Sequence, residues 1–106
     1  MKRLYTDPEP ARSTVDTFAG PAVIEFGAAW CPICQAAQPL IDAAFADHPD
    51  VRHLQVEDGR GRPLGRSFGI KLWPTLVFLK DGKEVAREVR PRDASAIRRG
   101  LEQITS

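Results

Sequence analysis

The period of the apolar positions switches repeatedly along the chain, and each switch marks an element. Ala22 to Phe26 is a short apolar run broken only by Glu25, the pattern of a strand buried on both faces. From Cys31 to about Ala46 the apolar residues Ile33, Ala36, Ala37, Leu40, Ile41, Ala44 and Phe45 recur every three or four positions, predicting one helix with a buried stripe. Pro39 interrupts that helix and predicts a kink, and His48-Pro49-Asp50 ends it. Val51 to Glu57 alternates, with Leu54 and Val56 as the predicted core side chains. Asp58 to Gly65, rich in glycine, reads as a loop, and Leu64 to Phe68 as a short helix. Thr75 to Leu79 is a run of β-formers, Asp81-Gly82 a hairpin turn, and Glu84 to Val89 the antiparallel return. Pro91-Arg92-Asp93 opens a last helix that buries Ile97, Leu101 and Ile104. At the start, Arg3 to Tyr5 reads as a strand, and Asp7-Pro8 as the cap and first residue of a helix to about Phe18, stopped by Gly20-Pro21. Helices and strands alternate and close on a hairpin and a helix. The expected fold class is α/β, a central mixed sheet with helices on both faces.

Composition narrows the picture only a little. A chain of 106 residues is expected to form one domain, residues 1–106, burying roughly 65% of its unfolded surface. The net charge of +1 argues against nucleic-acid or membrane binding. The basic start Met1-Lys2-Arg3 is followed by no apolar stretch, so a signal peptide is not expected and a cytoplasmic location is.

The chemistry concentrates in Trp30-Cys31-Pro32-Ile33-Cys34, which holds the only two cysteines. An offset of three puts both sulfurs on one face of a helical turn, where they can close a small disulfide ring or be reduced together. The first cysteine stands at a helix N-terminus, whose free N–H groups and dipole favour the thiolate, the attacking species. Two other readings exist for the pair. Cysteines can be inert core residues. With His48 and His53 they also match the formal spacing of a zinc site, C-x2-C-x13-H-x4-H. Pro49 between the histidines keeps the imidazoles off a common helix face, so no metal site is expected. A buried second thiol has a raised pKa and needs a base. Glu25, the one charge in the strand upstream, is the candidate, and among apolar neighbours it is expected to titrate high. Trp30 and Trp73 read either as an exposed apolar platform around Cys31 or as core residues.

Together these markers resemble the thioredoxin family over about Asp7 to Ile104. They are the Ala22-to-Phe26 strand with its acid, Trp30, Cys31 and Cys34, Pro39, Trp73-Pro74-Thr75, and Phe78-Leu79-Lys80-Asp81-Gly82. The resemblance implies a thioredoxin fold and reversible dithiol–disulfide exchange, with Cys31 the exposed nucleophile and Cys34 the resolving thiol. It implies protein disulfides as substrates, a flavoprotein thioredoxin reductase as electron donor, a monomer, and no bound cofactor beyond the cysteine pair. It further implies a cis Trp73–Pro74 bond, freeing the Trp73 backbone for strand-like pairing with substrate. The alternative is a thioredoxin-fold binding or redox-sensing module with little reductase activity.

Several positions depart from the family pattern. Pro32-Ile33 replaces Gly-Pro between the cysteines; proline suits the first helical position and isoleucine adds apolar cover. Proline after the first cysteine is shared with glutaredoxins and periplasmic oxidases, but no glycine pair follows Pro74 and no helical domain is inserted. His53 stands where a lysine is usual near the acid, and reads as a group titrating in the neutral range or as a surface strand residue. Arg90-Pro91 replaces a glycine-containing loop, and an arginine there crowds the docking groove or selects acidic partners. Arg60, Arg62 and Arg66 form a cluster that reads as a solvated face.

Overall fold

The computed structural model describes residues 3–106; Met1 and Lys2, part of the basic start noted above, lie outside them. Four strands form one mixed sheet in the order β2-β1-β3-β4. The strands are β1 (Pro21–Gly27), β2 (Arg52–Glu57), β3 (Thr75–Lys80) and β4 (Lys83–Val89). β1 runs parallel to β2 and antiparallel to β3, and β3 pairs antiparallel with β4. The helices are α1 (Arg12–Val15), α2 (Pro32–Phe45), α3 (Pro63–Ser67) and α4 (Ala94–Thr105). None of them is long and apolar enough to cross a membrane.

Strand alternation builds two cores, one on each face of the sheet. Val23 of β1 and Leu76 and Phe78 of β3 pack against Ala37, Ile41 and Ala44 of α2 and Ile97, Leu101 and Ile104 of α4. Ala22, Ile24, Phe26, Val77 and Leu79 point the other way, onto Val15, Leu64 and Phe68. β1 is central and covered on both sides, which explains its nearly unbroken apolar sequence.

The hairpin turn is set by Asp81 and Gly82, both at positive φ, 51° and 80°, the pairing a tight two-residue turn requires. A Cβ on Gly82 would collide with the backbone carbonyl of Asp16 at the end of α1. Gly82→Ala is therefore expected to cost roughly 2–4 kcal/mol, from the left-handed φ and a neighbour that cannot rotate away. Urea unfolding of the variant measures it.

The sequence reading needs four corrections here. Arg3 to Tyr5 is a turn, because Tyr5 adopts a left-handed φ of 58° and breaks any extended run. The first helix is one turn long, since Pro8 and Pro10 hold the chain extended up to Ala11. Asp7 does not cap that helix. Its N–H donates to the Gln55 carbonyl (3.1 Å) and its carboxylate accepts the Gln55 N–H (2.8 Å), clamping the segment to β2. In α2 the buried stripe is Cys34, Ala37, Ile41 and Ala44, while Ile33 and Ala36 face outward.

Candidate active site

The site forms where β1 hands over to α2. Cys31 is the N-cap of α2 in extended conformation, Pro32 takes the first helical turn, and the Cys31 sulfur accepts the Cys34 N–H at 3.2 Å. Proline fits there because no intrahelical acceptor exists for an N–H at that position. Both cysteines are free thiols and both are covered: Cys31 is 6% exposed and Cys34 fully buried. The expectation of an exposed Cys31 is thus corrected. Its side chain lies in a small apolar cluster with Tyr5, Ala28 and Cys34, with Leu4 and Trp73 packed against it. Burial, followed by the hydrogen bond with Cys31, pushes the Cys34 thiol up to about 12.

Trp30, 70% exposed, meets the half-buried Trp73 edge to face with ring centroids 5.6 Å apart. The Trp73 indole N–H donates to Asp58 Oδ2 at 2.8 Å. The Trp73–Pro74 bond is cis, as the resemblance implied. The Trp73 carbonyl is not free, however: Arg90 Nε donates to it at 2.8 Å, and the Arg90 N–H donates to the Pro74 carbonyl at 2.9 Å. Arg90 holds a φ of 49°, a conformation that costs an L-residue about 1–2 kcal/mol and suits the glycine expected in that loop. Pro39 lies within α2, solvent-exposed and remote from the sulfurs in sequence.

Glu25 is fully buried on the face of β1 that carries Val23 toward α2. Its carboxylate is saturated. Oε2 accepts from the Tyr5 hydroxyl and from Gln38 Nε2 (2.9 Å), and Oε1 contacts His53 Nε2 (2.8 Å) and accepts from Gln55 Nε2 (3.1 Å). Gln55 Nε2 also donates to Gln38 Oε1 at 2.9 Å, closing the cage. Burial alone raises the Glu25 pKa, but the His53 hydrogen bond and charge, with Tyr5 and Gln38, outweigh it and hold the carboxyl below its usual range. The expectation that Glu25 titrates high is overturned because its neighbours are polar, not apolar. His53 is no mere surface residue either, since its ring pairs with Glu25 and stacks on Phe45 at 4.1 Å. Among the described residues no cluster of three or more histidine, cysteine or acidic side chains could hold a metal.

Sequence reasoning missed Tyr5, Gln38, Gln55 and Asp58. The register of β1 against β2 contained a signal for one of them, because Glu25 pairs with Gln55 in the parallel ladder. Gln38 follows Cys34 by one helical turn on the inward side of α2, which also places it over the acid. Tyr5 carried no such signal, since its place depends on a left-handed turn.

A paired dithiol at a strand–helix junction, one sulfur capping the helix and the other buried, defines a thiol–disulfide oxidoreductase. Comparison with known proteins agrees. A thioredoxin family model matches residues 5–103. A thioredoxin from Chlamydia muridarum is 36% identical over 80 residues, covering 74% of this chain and 78% of its own. Thioredoxin Asp f 28 of Aspergillus fumigatus is 33% identical over 73 residues, 69% of this chain and 68% of its own. The solved structure of thioredoxin 2 from Pseudomonas aeruginosa PAO1 in its reduced form superposes with a TM-score of 0.86 at 57% identity, covering 98% of this chain and 96% of that one. The chain belongs to the thioredoxin family.

Proposed function

We propose that the chain reduces protein disulfides, with Cys31 attacking and Cys34 resolving. The observation that carries this reading is the Cys31 sulfur held against the Cys34 N–H at the mouth of α2, with the second thiol sealed behind it. Cys31, as thiolate, attacks one sulfur of the partner disulfide; that S–S bond breaks and the other partner sulfur leaves as a thiolate. Cys34 then attacks Cys31, closing the Cys31–Cys34 disulfide and releasing the second partner sulfur. Two electrons pass from the dithiol to the partner. The same reading takes a flavoprotein thioredoxin reductase as the electron donor, a monomer as the working unit, the cytoplasm as its place, and the cysteine pair as its only redox group. Exposed Trp30, Ile33 and Leu72 lie on the two segments that bracket the cysteines, and support docking of an apolar partner surface.

Arg90 sets the docking preference in this proposal. Its side chain occupies the Trp73 carbonyl that an extended substrate needs, so a bound segment must draw Arg90 away, and an acidic side chain does that best. An open pocket beside Trp73 adds Arg60, Arg66 and Lys71, which form no ion pair among the described residues, whereas Arg62 pairs with Glu57 at 2.6 Å. Arg90→Gly frees the carbonyl and removes the strained φ. The KM for a neutral disulfide peptide is expected to fall about 3- to 10-fold with kcat unchanged, and the KM for an acidic one to rise. Steady-state kinetics with two peptides differing only in charge check this, and an unchanged preference contradicts it.

A further inference from the structure

The resolving step has a difficulty that the cysteines alone do not solve. Cys34 must become a thiolate inside the protein, where burial pushes its thiol up to about 12. Glu25 is poorly suited to take the proton. Its four lone-pair directions are occupied, and its carboxyl is held low by His53, Tyr5 and Gln38 against the effect of burial. Neither sulfur is among its hydrogen-bond partners in the described residues. The side chain that touches both the acid and the Cys34 thiol is Tyr5, whose hydroxyl donates to the acid and whose ring packs in one cluster with the thiol.

Tyr5 is the only tyrosine of the chain, and it is 4% exposed. It packs in one cluster with Cys31, Cys34 and Ala28. Gly27 makes this approach possible. A Cβ there would lie 2.6 Å from Tyr5 Cζ and 2.8 Å from Cys34 Sγ, so ring and sulfur converge on space that only glycine leaves open. The segment is fixed from both sides: Tyr5 turns inward at φ 58°, and Asp7 two residues on is clamped to Gln55. The Tyr5 phenol itself resists ionisation, first from burial and then from the Glu25 charge beside it. It therefore keeps its proton and acts as a donor, to Glu25 Oε2 in the resting dithiol, with the Cys34 sulfur as its neighbour in the same cluster.

We propose that the Tyr5 hydroxyl is the hydrogen-bond donor that receives the Cys34 thiolate as it forms, swinging from Glu25 to sulfur during resolution. The proposal rests on the assignment of Cys34 as the resolving thiol. In the step, Cys34 releases its proton to solvent as the site opens around the mixed disulfide, and its sulfur electron pair attacks Cys31 Sγ. The Cys31–partner S–S bond breaks, and the departing partner thiolate gains a proton from solvent in place of the one Cys34 gave up. No proton stays on Tyr5 or Glu25. Tyr5 is then a catalytic residue, in contact with a reacting sulfur, and Glu25 a positioning residue that aims it. The charged and titratable groups around the thiol are Cys31 on α2, Tyr5 on the entering segment, and Glu25 on β1. Behind Glu25 stand His53 on β2 and, on the segment clamped to β2, Asp7.

Tyr5→Phe keeps the ring and removes the donor. The probe is 5,5′-dithiobis(2-nitrobenzoate) in single turnover with the reduced protein, because the coloured thiolate leaves once on attack by Cys31 and again on resolution by Cys34. In Tyr5→Phe the second release is expected to slow about 10- to 100-fold at neutral pH and its pH profile to move to higher pH, with the first release within about twofold of the parent. Leu4→Ala loosens the same corner while sparing the hydroxyl. A second phase slowed equally in both variants, or unchanged in Tyr5→Phe across the pH range, overturns the proposal. A first release that survives unchanged in Cys31→Ser instead overturns the underlying assignment of Cys31 as attacking and Cys34 as resolving thiol. If Tyr5→Phe does not fold, replacing the single tyrosine by 3-fluorotyrosine makes the phenol a stronger donor at little change in shape. The second phase is then expected to move to lower pH, and a profile that does not move contradicts the role.

Discussion

Cys31→Ser is expected to abolish disulfide reduction, lowering turnover of a protein disulfide by at least ~10³-fold, while the protein remains folded. A serine hydroxyl is held protonated at neutral pH and is a poor nucleophile toward sulfur, whereas the N-cap geometry it inherits survives, since serine is itself a good N-cap. The loss is therefore chemical and not structural, and circular dichroism of the variant should match the parent. Cys34→Ser gives the complementary result. Attack still occurs at Cys31 but nothing resolves it, so a covalent complex with the substrate accumulates, visible by mass spectrometry under non-reducing conditions. The pair of variants also separates the two functional readings. A binding module keeps its partner affinity in Cys31→Ser and forms no mixed disulfide in Cys34→Ser. Reductase activity surviving Cys31→Ser contradicts the proposed order of attack.

Glu25→Ala is expected to destabilise the protein by about 3–5 kcal/mol, because it leaves the Tyr5, Gln38, His53 and Gln55 groups buried or half-buried without their shared acceptor. For a domain of this size that corresponds to a fall in Tm of about 15–30 °C. The pH dependence follows from the direction of the Glu25 shift. Its folded pKa lies below the ordinary 4.5, so its contribution is complete above that value and is lost as pH falls through the lower folded one. The gap in stability between parent and Glu25→Ala should thus be widest at neutral pH and narrow in acid. Urea midpoints at several pH values measure it. A gap independent of pH means that the carboxylate is not the group the cage is built on.

The legible part of this molecule was the part governed by local periodicity. The apolar run of β1, the stripe of α4 and the Asp81-Gly82 turn each follow from spacing or from one residue's backbone preference, and so did the dithiol at the start of α2. What escaped depends on contacts between distant segments. Tyr5 reaches Glu25 across 20 positions and Gln55 reaches it across 30, and no pattern within either segment announces a polar cage. The error about the Glu25 pKa has the same origin. Its sequence neighbours are apolar, but its neighbours in space come from α2, β2 and the entering turn. Arg90 was legible as a departure, yet its grip on the Trp73 carbonyl was not, because the positive φ that aims it belongs to the loop.

The measurement that most directly tests the central claim is the equilibrium potential of the Cys31–Cys34 couple, from thiol counts of the pure protein in glutathione buffers. A protein-disulfide reductase must lie below the cytosolic glutathione poise of about −220 to −260 mV, where every ~30 mV corresponds to ~1.4 kcal/mol for a two-electron couple. The account predicts a value more negative than that range. A potential near or above it would contradict the reductase reading, showing that the dithiol with Pro32-Ile33 between its cysteines is stable enough to make the protein an oxidant.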